Sequence, residues 1–111
     1  TFKAKKWYSD NWEFTIADAE SKYTLAFDMR TGDSSLNYIP SGLYTIGTSG
    51  QYIDSYYSTF NGSKSAYKAV SLELTYHEDS KTYDVKFDVT LTDDRQFSGS
   101  YSGVVEGSPA E

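Results

Sequence analysis

His77 is the only histidine in the chain, so a Ser-His-Asp hydrolase, an imidazole base or a histidine-bound metal would have to be built on it. It follows a run in which Val70, Leu72, Leu74 and Tyr76 alternate with polar residues, beside the turn-like Glu78-Asp79-Ser80-Lys81. That places it on the polar side of a strand end with no evident partner, and it reads as a solvated side chain. Acids pair at Asp93-Asp94, at Glu78-Asp79 and at Asp10 with Glu13. Glycoside hydrolysis needs two carboxyls flanking a bond in a cleft. Adjacent acids in tight turns more often accept backbone N–H groups. Calcium at Asp93-Asp94 or around Asp33 would call for regularly spaced oxygen ligands, as in an EF-hand loop, and none appear. Phe97-Ser98-Gly99-Ser100-Tyr101-Ser102-Gly103 is glycine-rich, yet it lacks the spacing, the lysine and the following helix of a phosphate loop. Cysteine is absent, which removes disulfides and thiolate ligands. The sequence therefore predicts no catalytic residue, no metal and no cofactor.

Recognition chemistry is better represented. Tyr52-Ile53-Asp54-Ser55-Tyr56-Tyr57-Ser58-Thr59-Phe60-Asn61-Gly62 mixes tyrosine plates with small polar residues, the composition of recognition loops. Rings can stack on sugar rings while carboxylates and amides hold hydroxyls. Tyr52, Asp54, Tyr56, Tyr57, Phe60 and Asn61 are the candidate ligand-binding residues. A competing reading makes this an edge strand with one tyrosine face in the core. Asn61-Gly62-Ser63 has the form of a glycosylation sequon and, equally, of a turn.

The elements that would position these residues are strands. Apolar residues recur with period two, the signature of half-buried extended chain. Phe2 to Tyr8, Asn11 to Ala17 and Tyr23 to Met29 are the first three runs, followed by a polar loop from Arg30 to Ser35. Residues 17–22 tolerate helix but are too short for one and read as a hairpin loop. Leu43 to Ile46 follows Ile39-Pro40-Ser41-Gly42, whose proline and glycine suit a turn. A further strand is expected near Tyr52 to Ser58. If His77 pairs with Thr82, then Leu72 faces Phe87, Leu74 faces Val85 and Glu73 meets Lys86, an internally consistent hairpin. A return through Asp93-Asp94-Arg95 would set Tyr101 opposite Phe87, with Gly99 and Gly103 opposite Val89 and Val85. Glycine there would permit curvature or let an aromatic ring lie over the backbone. The expected fold is all-β and antiparallel, about seven or eight strands in sequential hairpins, forming a flattened barrel or a two-sheet sandwich. Residues 1–106 make a single domain, and residues 107–111 read as a C-terminal tail or linker stub.

At 111 residues the chain has room for one core, to which 11 Tyr, 6 Phe and 2 Trp can contribute large side chains. A formal net charge of −6 argues against nucleic acid, whose phosphates need a basic patch that Lys3, Lys5 and Lys6 are too few to form. No apolar run is long enough for a transmembrane helix. Tyr23-Thr24-Leu25-Ala26-Phe27-Asp28-Met29, Leu43-Tyr44-Thr45-Ile46-Gly47 after Pro40-Ser41-Gly42, and the closing Phe97 to Val105 resemble β domains of secreted or lipoprotein surface components of gut Bacteroidetes. The resemblance implies an exported protein at the bacterial surface or in the periplasm, with leader and lipid anchor outside this chain. It carries no catalytic residues. The function expected is a non-catalytic module binding a glycan or a protein. The alternatives are a barrel holding a small apolar ligand in a cavity of several hundred Å³, and a structural spacer in a larger surface protein.

Overall fold

Alternating residues become strands because a pleated ribbon sends successive side chains to opposite faces. The computed structural model describes residues 1–20 and 22–110. Among these the chain forms β1 (Phe2–Tyr8), β2 (Asn11–Ala17), β3 (Thr24–Arg30), β4 (Gly42–Thr45), β5 (Tyr52–Phe60), β6 (Ser63–Lys64), β7 (Tyr67–His77), β8 (Thr82–Leu91) and β9 (Gln96–Gly103). No helix occurs among them, hence none long and apolar enough to cross a membrane. The loop expected over 17–22 is present between β2 and β3, with Ser21 outside the described residues.

The strands form two antiparallel sheets, β1-β2-β3-β5-β6 and β4-β7-β8-β9, packed as a sandwich. Two placements depart from sequential hairpins. β4 leaves its chain neighbours to pair with β7, and β5 returns to the first sheet beside β3. Trp12, Phe14 and Ile16 of β2 and Leu25, Phe27 and Met29 of β3 point inward. They meet Tyr44, Val70, Leu72, Leu74, Tyr83, Val85 and Val89 of the second sheet in one apolar core.

The β7–β8 register is the expected one, with His77 opposite Thr82, Glu73 opposite Lys86 and Leu72 opposite Phe87. β9 is displaced by two residues from expectation, so that Gly99 faces Phe87, Tyr101 faces Val85 and Gly103 faces Tyr83. The turn explains the shift. Leu91 N–H donates to Arg95 O at 2.8 Å, and Asp94 stands in the left-handed region at φ 70°. A three-residue loop therefore closes the hairpin. An even shift preserves the alternation of faces, so the buried side chains are unchanged. The Phe87 ring lies across Gly99, where a Cβ would approach it to 3.0 Å.

The segment expected to be a tail is packed against the sandwich. Val105 and Ser108 are buried. Ser108 Oγ accepts the Ile39 N–H at 3.0 Å and lies 2.7 Å from the Tyr83 hydroxyl, which donates to Ile39 O. Ala4 N–H donates to Glu106 O, and Glu106 N–H to Phe2 O, so the chain after β9 crosses to β1. Ser108 thus completes buried hydrogen bonds of the sandwich, and Ala110 exchanges hydrogen bonds with Asn37. Glu111 lies outside the described residues.

Candidate functional site

On the outer face of the first sheet, register lines up residues that are far apart in sequence. Lys5 of β1 is opposite Glu13 of β2, which is opposite Asp28 of β3, which is opposite Asp54 of β5. The next outward row runs Lys3, Thr15, Ala26, Thr59 and Lys64. The centre of this face is an acidic stripe beside the small side chain of Ala26.

Two bulges raise aromatic walls on either side of it. In β1 the pairing steps from Lys6–Trp12 to Tyr8–Asn11, leaving Trp7 as an extra residue. Trp7 and Tyr8 both emerge, 54% and 63% exposed. In β5 the pairing jumps from Asp28–Asp54 to Ala26–Thr59, so residues 55–58 oppose Phe27 alone. Ser58 closes that break. Its hydroxyl accepts the Asp28 N–H at 3.0 Å and donates to Asp54 O at 2.7 Å. The Asp54 carboxylate accepts the N–H groups of Tyr56 and Tyr57 at 3.0 and 3.3 Å. The loop so held presents Tyr56 and Tyr57 outward, edge to face at 4.8 Å. Bulges re-aim side chains at the cost of ladder hydrogen bonds, and here both re-aim rings toward the same strip of sheet.

Between the walls lies an open cleft of about 330 Å³ lined by Trp7, Tyr8, Asn11, Glu13, Asp28 and Tyr57, with Ala26 and Thr59 between them. Cations brace the rings: Lys5 Nζ stands 3.9 Å from the Trp7 ring centre and Lys64 Nζ 5.3 Å from that of Tyr57. The Arg30 guanidinium lies over Tyr8 at 5.4 Å and donates to its hydroxyl. Burial pushes the Asp28 carboxyl above its usual range. Asn11 and Arg30 oppose the shift, while Asp54 and Glu13 add to it. The neighbouring hairpin behaves oppositely. Burial raises Asp10, but Gly32 N–H at 3.0 Å and Arg30 at 3.2 Å outweigh it and hold the carboxyl below its usual value.

The six residues singled out from sequence are dispersed. Tyr57 lines the cleft, Tyr56 stands beside it, and Asp54 holds the loop that carries both. Tyr52 is half-buried at the start of β5. Phe60 is a core residue, 6% exposed, stacked on Tyr23 and tilted against Phe97, because it follows the bulge on the inward phase of β5. Asn61 sits in the β5–β6 turn at φ 49°, its Oδ1 accepting the Thr24 N–H. Sequence reading missed Trp7, Tyr8, Asn11, Glu13 as a partner of Asp28, and Asp28 itself. The signal available was the Trp7-Tyr8 pair before a tight turn, which breaks the alternation of the first run.

His77, Asp93, Asp94 and Asp33 have local partners. Asp84 lies between His77 Nε2 at 2.9 Å and Ser102 Oγ at 2.8 Å. The carboxylate, not the imidazole, touches the hydroxyl, whereas activating a serine requires the base to touch it. Asp93 accepts from Arg95, Asp94 pairs with Lys68, and Asp33 accepts from Ser35. Among the described residues no three His, Cys, Asp or Glu side chains are grouped to hold a metal. No protein-family model, curated protein or solved structure matches the chain.

Proposed function

We propose that the chain is a non-catalytic glycan-binding module whose site is the cleft between Trp7 and Tyr57, serving at the bacterial surface or in the periplasm. The observation that carries this reading is the pair of bulges in β1 and β5, which turn aromatic rings toward one polar strip across about 14 Å of sheet, three strand spacings. A sugar has C–H faces that lie against such rings and hydroxyls that bond to carboxylates and amides, and the walls and floor offer both. The cleft falls within the roughly 300–1,000 Å³ of small-ligand sites. The apolar recess between the sheets, near Phe2, Tyr23 and Phe97, holds only about 180 Å³, which favours the outer face over an interior ligand. Glu13 and Asp28 sit side by side on one floor rather than flanking a bond, and this favours binding over hydrolysis. Export, and a lipid anchor beyond this chain, rest on the resemblance of strand and turn patterns alone.

Affinity electrophoresis through gels containing polysaccharides tests the reading. The chain should be retarded by at least one, with Trp7→Ala and Tyr57→Ala each weakening retention about tenfold, as loss of a stacking ring does, and His77→Ala migrating like the parent. Equal migration of all four proteins in every gel ends the glycan reading and turns attention to a protein partner. Newly formed reducing ends in the retarding gel would replace it with a hydrolytic one.

A further inference from the structure

We infer that the floor of this cleft receives a free amino group, so that the preferred ligand is a glycan containing de-N-acetylated amino sugars. The inference rests on the glycan reading above and specifies its ligand. Asn11 is the starting point. It lines the cleft, is only 7% exposed, and uses its amide hydrogens on the Asp28 carboxylate and on Met29 O. Among the described residues its Oδ1 accepts no hydrogen bond, and since Asn11 lines the cleft its amide oxygen adds an acceptor to those of the neighbouring carboxylates. Beside it stand Glu13 and Asp28, neither ion-paired among the described residues. No lysine or arginine lines the cleft. The floor is thus a group of acceptors carrying two negative charges, and it calls for a ligand that donates.

A neutral hydroxyl would satisfy one acceptor and leave the charges opposed. Like charges directly opposite on neighbouring strands repel, and Glu13, Asp28 and Asp54 stand in one such row. An ammonium brings three donors and a compensating charge. The walls suit it too, since ring faces attract cations. Lys5, Lys64 and Arg30 brace these rings without entering the cleft lining. N-acetylation would remove the charge, reduce the donors to one and add bulk over the floor.

Titration calorimetry with four probes tests this: a glucosamine oligomer, its N-acetylated counterpart of equal length, a neutral glucose oligomer and an oligolysine peptide. The pH is chosen so that the amine of the probe is protonated. The amino oligomer should bind at least about tenfold more tightly than the acetylated one, as a charge-assisted contact implies. Asp28→Asn and Glu13→Gln should each erase most of that preference, and added salt should weaken it. Two variants are used so that one misfolded protein leaves the test readable. Equal or tighter binding of the acetylated or neutral oligomer, still lost in Trp7→Ala, overturns the amino-sugar inference and leaves glycan binding standing. Binding of oligolysine with no oligosaccharide bound overturns both.

Discussion

Asp28 is half-buried between Glu13 and Asp54, and its raised pKa means that folding works against its ionisation. A carboxyl whose folded pKa lies above its ordinary 3.8 contributes its full stability only below that value, and loses it as pH rises through the folded pKa. Asp28→Asn should therefore raise stability at neutral pH by roughly 0.5–1 kcal/mol, the scale of a like-charge cross-strand contact. The gain should vanish when melts are repeated in acid. Ligand binding should fall in the same variant, since a residue kept against stability is a mark of function. Asp10 supplies the opposite sign. Its depressed pKa contributes stability above 3.8 that is lost as pH falls through the lower folded value. Asp10→Asn should cost roughly 1 kcal/mol at neutral pH, with the deficit closing in strong acid. At this scale Tyr56 and Tyr57 were legible from composition alone. Asn11 and Asp28 were not, because nothing near either in sequence marks a half-buried polar contact that arises only when β2 meets β3.

The element on which the cleft most depends is the break in β5. Ser58 replaces a lost ladder bond with its hydroxyl, accepting from Asp28 and donating to Asp54 while fully buried. Ser58→Ala leaves the part-buried Asp28 N–H without its partner, so denaturant unfolding should show a loss of roughly 1 kcal/mol. Because the same bonds set the loop that carries Tyr57, retention in a polysaccharide gel should also drop. An unchanged gel with a reduced unfolding midpoint would mean that the loop is held by Asp54 alone. Strand limits were readable at this scale, since apolar alternation and turn residues mark both ends of β1 and β2. The β7–β8 register was readable because a charge pair and apolar pairs agreed on it. The break in β5 was not, since an extra residue is defined only against a partner strand, and the partner of β5 is β3, with β4 between them in sequence. The β8–β9 shift has a related cause: Asp94 in a left-handed conformation shortens the loop, and aspartate does not announce this as glycine would.

At the scale of the whole molecule, the sandwich is joined along one side by the chain after β9. That segment bonds to Ala4 and Phe2 of β1, while Ser108 ties Ile39 to Tyr83. Burial pushes the Tyr83 hydroxyl up to about 12, against the pull of Ser108 and Ile39, so it stays a neutral donor throughout the physiological range. None of this was legible, because Gly107, Ser108 and Pro109 have the composition of a linker, and only tertiary partners make them structural. Gly107 is the sensitive point. It stands at φ 93°, and a Cβ there would fall on the carbonyl oxygen of Ala4. Gly107→Ala must therefore lift the segment from β1 or distort both, at a cost of roughly 1–3 kcal/mol for the freed hydrogen bonds. Amide exchange should accelerate at Ala4 and Glu106 but not along β7 and β8, whose ladder does not pass through this contact. Since β1 also carries Trp7 and Tyr8, a loosened β1 should weaken ligand retention even though residue 107 is not among those lining the cleft. Faster exchange at Ala4 with undiminished binding would show that the β1–β2 pairing alone suffices to hold the aromatic wall.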